Sequence, residues 1–155
     1  MSDKEKSPDT ERLFGLLESS PTLNDVLDQH ENSITNPTLS TYLAELLNAH
    51  HCTIAQVIQR ANLSKSFVYQ VFSGDRVPNR DILLRIAFAI KLDLEETQRL
   101  LTIAWRGALY PRVRRDAAII FCLQKKCTLE QTSDLLEEIG EMPLIKGEAD
   151  EEHKR

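Results

Sequence analysis

Along the segment TIAQVIQRANLSKSFVYQVFSG, Thr53 to Gly74, apolar residues recur with a helical period that breaks once and then resumes. Ile54, Val57, Ile58 and Ala61 fall at helical spacing on one face, which leaves Gln56, Gln59 and Arg60 outside. Thr53 and Gln56 have the spacing of a capping box, in which each side chain satisfies the other's orphan amide, so a helix starts there. Asn62 tolerates the left-handed backbone that ends a helix sharply. Leu63 then returns to the apolar face and Ser64 caps the next helix. In that second helix Phe67, Val68, Val71 and Phe72 repeat at helical spacing and leave Ser64, Lys65, Ser66, Tyr69 and Gln70 on the other side. The pattern predicts two short helices joined by a tight turn, the second carrying side chains of the kinds that reach base edges and phosphates.

The helical period continues downstream. Arg80 to Leu101, RDILLRIAFAIKLDLEETQRLL, reads as an apolar helix followed by a shorter one that Asp93 and Glu96 open as a capping box. About 35 positions later the design returns in Arg115 to Leu136, RDAAIIFCLQKKCTLEQTSDLL. Both copies open on Arg-Asp, run through apolar residues to Lys91 or Lys126, and close on Leu-Leu, with Thr128 and Gln131 taking the places of Asp93 and Glu96. Two copies are too few for a solenoid, so the second pair is expected to pack on the first and extend its core. Trp105, Leu109, Tyr110 and Pro111 lie at the join, where large rings and a fixed proline are expected to set the angle between the halves. Upstream, RLFGLLES and TLNDVLDQH are brief amphipathic pieces separated by Ser19, Ser20 and Pro21. Asn36-Pro37 stops any helix before Thr38 or Ser40 caps the next one, STYLAELLNAHH.

From roughly Thr38 to Ala104 this layout resembles the Xre/Cro family, the phage-repressor type of helix-turn-helix domain. In that family a loop with Gly and basic residues follows the recognition helix, then Pro, an apolar helix, and a short helix opened by Asp or Ser with Glu three residues on. Gly74, Arg76, Pro78, Leu83 to Ala89, Asp93 and Glu96 occupy those places. Ile58 stands where the family usually has a small Ala, and Asn62 where it usually has Gly. The C-terminal stretch is similar to extensions on some bacterial Xre-type regulators. The resemblance implies an all-α fold: a five-helix repressor-like domain over 38–107, a helix pair over 108–142 packed on it, a partly ordered arm over 1–37 and an acidic disordered tail over 143–155.

Overall charge, -5, runs against nucleic-acid binding until it is mapped along the chain. Basic residues concentrate between Arg60 and Lys126, while both ends are acidic, so a local basic patch is expected on an acidic protein. No apolar run approaches a membrane span and the N-terminus, MSDKEKSPDTER, has no signal-like stretch, which points to the cytoplasm. Cys52, Cys122 and Cys127 lack zinc-type spacing, no metal or cofactor is expected, and no nucleophile with a spaced base or buried carboxylate pair suggests an enzyme. The C-terminal pair shows no polar constellation suited to a charged small ligand.

Together these observations imply a sequence-specific transcriptional regulator that places residues 64–73 in the major groove of double-stranded DNA, as a homodimer. In that account Lys65, Ser66, Tyr69 and Gln70 face bases, while Thr53, Ser64, Arg76, Asn79 and Arg80 hold phosphates. The rival expectation is a helical adaptor that keeps the repressor-like scaffold and binds a protein, such as a kinase, a polymerase subunit or a toxin, through the arm or the C-terminal pair.

Overall fold

The structure is a computed structural model that describes residues 10–31 and 38–145. Among the described residues it is all-helical, with nine helices and no strand. These residues fall into two compact units that divide between 37 and 38.

In the first unit, α1 (Thr10–Ser19) and α2 (Leu23–Gln29) correspond to the two amphipathic pieces of the sequence. Thr22 caps α2 by accepting the Asp25 N–H at 3.2 Å. Val26 is buried, whereas Phe14, Leu17, Leu23 and Leu27 are exposed. The polar run expected to stay unpacked at the start of the chain, and the loop over 32–37, lie outside the described residues.

The second unit contains α3 (Leu39–Ala49), α4 (Ile54–Ala61), α5 (Lys65–Ser73), α6 (Arg80–Ile90), α7 (Leu94–Ile103), α8 (Arg114–Gln124) and α9 (Leu129–Glu138). Their boundaries follow from local chemistry. Thr38, Thr53, Asp93 and Thr128 each close a capping box with the residue three positions on, and Ser64 and Asn79 cap α5 and α6. Helix α6 is central: every residue from Ile82 to Ile90 is buried, so its apolar run needs no amphipathic period. Around it, α3 packs on α5 and α7, and α4 packs on α5 and α6. A single apolar core runs from Leu39 to Leu144 and takes in Ile119, Cys122, Leu123, Leu129 and Leu136 of the C-terminal pair. The second pair therefore extends the core of the first, as the repeat predicts.

The two copies of the repeat face each other reciprocally. Helix α6 packs on α9 and α7 packs on α8. Arg80 donates to both Asp116 oxygens at 3.0 and 2.7 Å, and Arg115 donates to both Asp81 oxygens at 3.0 Å. Each Arg-Asp dipeptide thus grips the other, the isologous pattern of a twofold axis, here inside one chain. At the same offset, Arg80 Nε donates to the Gly107 carbonyl at 2.8 Å and Arg115 Nε to the Met142 carbonyl at 2.9 Å. Leu109 and Leu144 are both buried. The repeat therefore spans 80–109 and 115–144, beyond the stretch in which sequence likeness is visible.

This pairing corrects two expectations. Of the residues at the join only Leu109 is buried; Trp105 is 92% exposed, and Tyr110 and Pro111 are exposed as well. Hydrogen bonds hold the join instead: Gln98 exchanges two with the Leu109 backbone, and Tyr110 N–H donates to Asp116 at 2.9 Å. The acidic tail, expected from 143, does not start there. Leu144 is buried and Ile145 N–H donates to Ser133 Oγ at 3.1 Å, while residues 146–155 lie outside the described residues.

Candidate nucleic-acid interface

Helix α4 begins at Thr53, whose hydroxyl accepts the Gln56 N–H while Gln56 Oε1 accepts the Thr53 N–H, both at 3.1 Å. It ends at Asn62, whose backbone is left-handed (φ 58°, ψ 47°), the conformation Asn adopts at less cost than most side chains. Ser64 Oγ then accepts the Phe67 N–H at 3.3 Å and α5 starts. Val57, Ala61, Leu63, Phe67, Val68 and Val71 are buried, so both helices enter the core on the faces the period predicts. Ile54 and Ile58 pack against that core without being fully enclosed. The bulk of Ile58, unusual for the resembled family, is accommodated at the edge.

What remains exposed on α5 is one stripe: Lys65, Ser66, Tyr69, Gln70 and Ser73. Every side chain on it can hydrogen-bond, and its one large ring, Tyr69, is 48% exposed. Gly74 ends the helix with φ 94°, which frees Gln70's carbonyl to accept from the backbone of Asp75 and Arg76. The chain doubles back here, and the Arg76 guanidinium lies 5.2 Å over the Phe67 ring while its Nε donates to Gln70 Oε1 at 2.8 Å. Arg76 is thereby placed beside the stripe, where it anchors the carboxamide of Gln70.

The other sequence-selected polar residues are caps. Thr53, Ser64 and Asn79 use their side-chain oxygens to accept helix N–H groups, Asn79 Oδ1 from Ile82 at 2.9 Å. Each keeps a donor, the hydroxyl proton or the carboxamide NH2, of the kind that reaches a phosphate oxygen. Arg80 is different. Its guanidinium is spread over Asp116 and the carbonyls of Gly107 and Ala108, so it is a structural clamp between the repeats and not the phosphate contact expected of it. Asp116 is 4% exposed. Burial pushes its carboxyl up, but hydrogen bonds from Arg80 and the Tyr110 amide, with the charges of Arg80 and Arg115, outweigh that and hold it below the usual carboxylate range.

The turn is also held from beneath by a residue that sequence reasoning missed. Arg85, 2% exposed inside α6, donates to the Ala61 carbonyl through Nε at 3.1 Å and Nη2 at 2.8 Å, and to the Asn62 carbonyl at 2.7 Å. A cation at the C-terminal end of α4 satisfies carbonyls that the helix leaves orphaned and complements its dipole. Only its position in an apolar run, as a charge where none belongs, signalled such a role.

No protein-family model, curated protein or solved structure matches the chain. The basic centre of the sequence largely resolves into internal bonds: Arg60 to the Ala89 carbonyl, Arg106 to the Pro78 and Val77 carbonyls, Arg99 to Glu95, Arg114 to the Ile139 carbonyl, besides Arg80, Arg85 and Arg115. Lys65 and Arg76 are the cations at the α5 stripe. Among the described residues no group of His, Cys, Asp and Glu is placed to hold a metal, and no helix is long and apolar enough to cross a membrane.

Proposed function

We propose that the chain is a sequence-specific DNA-binding transcriptional regulator of Xre/Cro type, with α4, its turn and α5 acting as a helix-turn-helix. The observation that carries this reading is the α5 stripe, where Lys65, Ser66, Tyr69, Gln70 and Ser73 form an exposed hydrogen-bonding surface on a helix otherwise sunk in the core. A helix fits the major groove, which is about 12 Å wide, and such a stripe would meet base edges there. Lys65 offers donors to guanine. Gln70 offers its NH2 and a remaining carbonyl lone pair to adenine, an exchange worth about 1–3 kcal/mol against a wrong base. Thr53, Ser64 and Asn79 supply phosphate donors, Arg76 supplies charge and steadies Gln70, and a homodimer would place two stripes on successive half-sites.

Fluorescence anisotropy on fragments of the protein's own upstream promoter, at low and at physiological salt, tests this. One fragment should stay bound at physiological salt, and Lys65→Ala/Gln70→Ala should abolish that preference. Weak binding to every fragment alike, lost with salt, would contradict it.

A second reading, a protein-binding adaptor, is favoured by one observation on another part of the surface. Trp105 sits in left-handed backbone (φ 60°), almost wholly exposed, where the other copy of the repeat has Gly140 (φ 83°). A large ring in a place suited to glycine, packed on nothing, is the profile of a binding anchor. Trp105→Gly relieves the backbone and removes the ring, so a partner such as a kinase, a polymerase subunit or a toxin would be lost without loss of fold. An unchanged pull-down of that partner would dismiss this reading.

A further inference from the structure

The internal twofold brings together a site that neither copy forms alone. A cavity of about 430 Å³ opens between the first copy, the second copy and α4. Phe88, Leu92 and Leu129 give it an apolar lining, and Arg60, Lys91 and Lys126 give it three cations, against the single carboxylate of Glu130. Lys91 and Lys126 are repeat equivalents: each follows the first helix of its copy, and the reciprocal packing delivers both to one cavity. Both have left-handed backbone, φ 73° and φ 62°, which glycine or asparagine would adopt more cheaply. Among the described residues five non-glycine positions have positive φ; two are lysines, and both line this cavity. Backbone strain retained at a charged residue, twice and in one place, is an argument for use. Arg60 is held ready by its Nη1 bond to the Ala89 carbonyl at 3.1 Å, which leaves its other donors uncommitted to that carbonyl.

We infer that this cavity binds a small amphipathic organic anion, an apolar body carrying a carboxylate, with the body against Phe88, Leu92 and Leu129 and the head between Lys91, Lys126 and Arg60. Its size falls within the range of ligand pockets, and an apolar lining with a few convergent polar groups is their usual composition. No charged-ligand site was expected in the C-terminal pair, because Lys126 joins Arg60 and Lys91 only once three separate segments pack together. The inference does not depend on DNA binding.

The test titrates the full chain with anilinonaphthalene sulfonate, an apolar anion whose fluorescence reports binding, and then displaces it with decanoate or with uncharged decanol. Saturable one-to-one binding is expected, with decanoate at least tenfold more effective than decanol. In Lys91→Gly/Lys126→Gly, which leaves Arg60 alone, most of that advantage should be lost, while the thermal midpoint stays at or above that of the parent because glycine suits both backbones. Absence of saturable binding, equal displacement by decanoate and decanol in the parent, or an advantage undiminished in the double variant would overturn the inference. A probe sitting elsewhere would give the second of these if it lay on an uncharged surface such as Trp105, and the third if it lay on other cations.

Discussion

Arg85 and Arg80 show how little an arginine's charge says about its use. Arg85 ties the carbonyls at the end of α4 to the central helix, so its removal leaves buried acceptors unsatisfied. Arg85→Met should lower the unfolding free energy by about 2 kcal/mol in chemical denaturation, and a neutral result would show that the turn does not need it. Arg80 meets Asp116 across the repeats. Because Asp116 titrates below the ordinary carboxylate value when folded, its ionised form contributes stability above the unfolded value, near 3.9, and that contribution is lost as pH falls through the folded value. Asp116→Asn should therefore cost about 3 kcal/mol at neutral pH, with the gap to the parent closing below about pH 4. Denaturation curves at several pH values would reveal a pH-independent gap if the charge were irrelevant.

Helices were the most legible level, because their ends are fixed by residues three positions apart. Thr53 with Gln56, Asp93 with Glu96 and Thr128 with Gln131 close in the structure as the sequence spells them, and Asn62 takes the left-handed turn. The face of α5 was legible for the same reason, since the period that buries Phe67, Val68 and Val71 also exposes Lys65, Tyr69 and Gln70. What could not be read was partnership across long separations. The Arg-Asp dipeptides marked a repeat, but their reciprocal grip needs the two copies to face each other, and Trp105 stayed out of the core although its size argued for burial. The grip predicts a double-mutant cycle: Arg115→Asp destabilises, and Asp81→Arg added to it recovers about 1 kcal/mol as the pair re-forms with its charges exchanged. Simple additivity would mean that the pair contributes shape and no coupling. For α5, Gly74→Ala should cost about 1 kcal/mol, since φ 94° is poor for a side chain and the new Cβ would sit 3.4 Å from Ser40 Oγ.

At the scale of the whole molecule an acidic chain presents a restricted binding surface, with most of its central arginines spent on internal bonds. Few cations then remain for phosphates, so the salt dependence of the proposed DNA binding should be shallow. Lys65 and Arg76 are the charged residues at α5, and if the proposed DNA reading holds, Arg76→Ala should reduce the salt slope by about one per protomer while weakening, less than Gln70→Ala does, the preference at the base assigned to Gln70. The cavity lined by Arg60, Lys91 and Lys126 shares no residue with the α5 stripe and is a separate use of the same fold. The central claim is that the α5 stripe reads DNA sequence, and selection of duplexes from a randomised pool at physiological salt tests it most directly. The account predicts enrichment of one motif by the parent chain and its loss in Lys65→Ala/Gln70→Ala; no enrichment, or the same motif from both proteins, would contradict it.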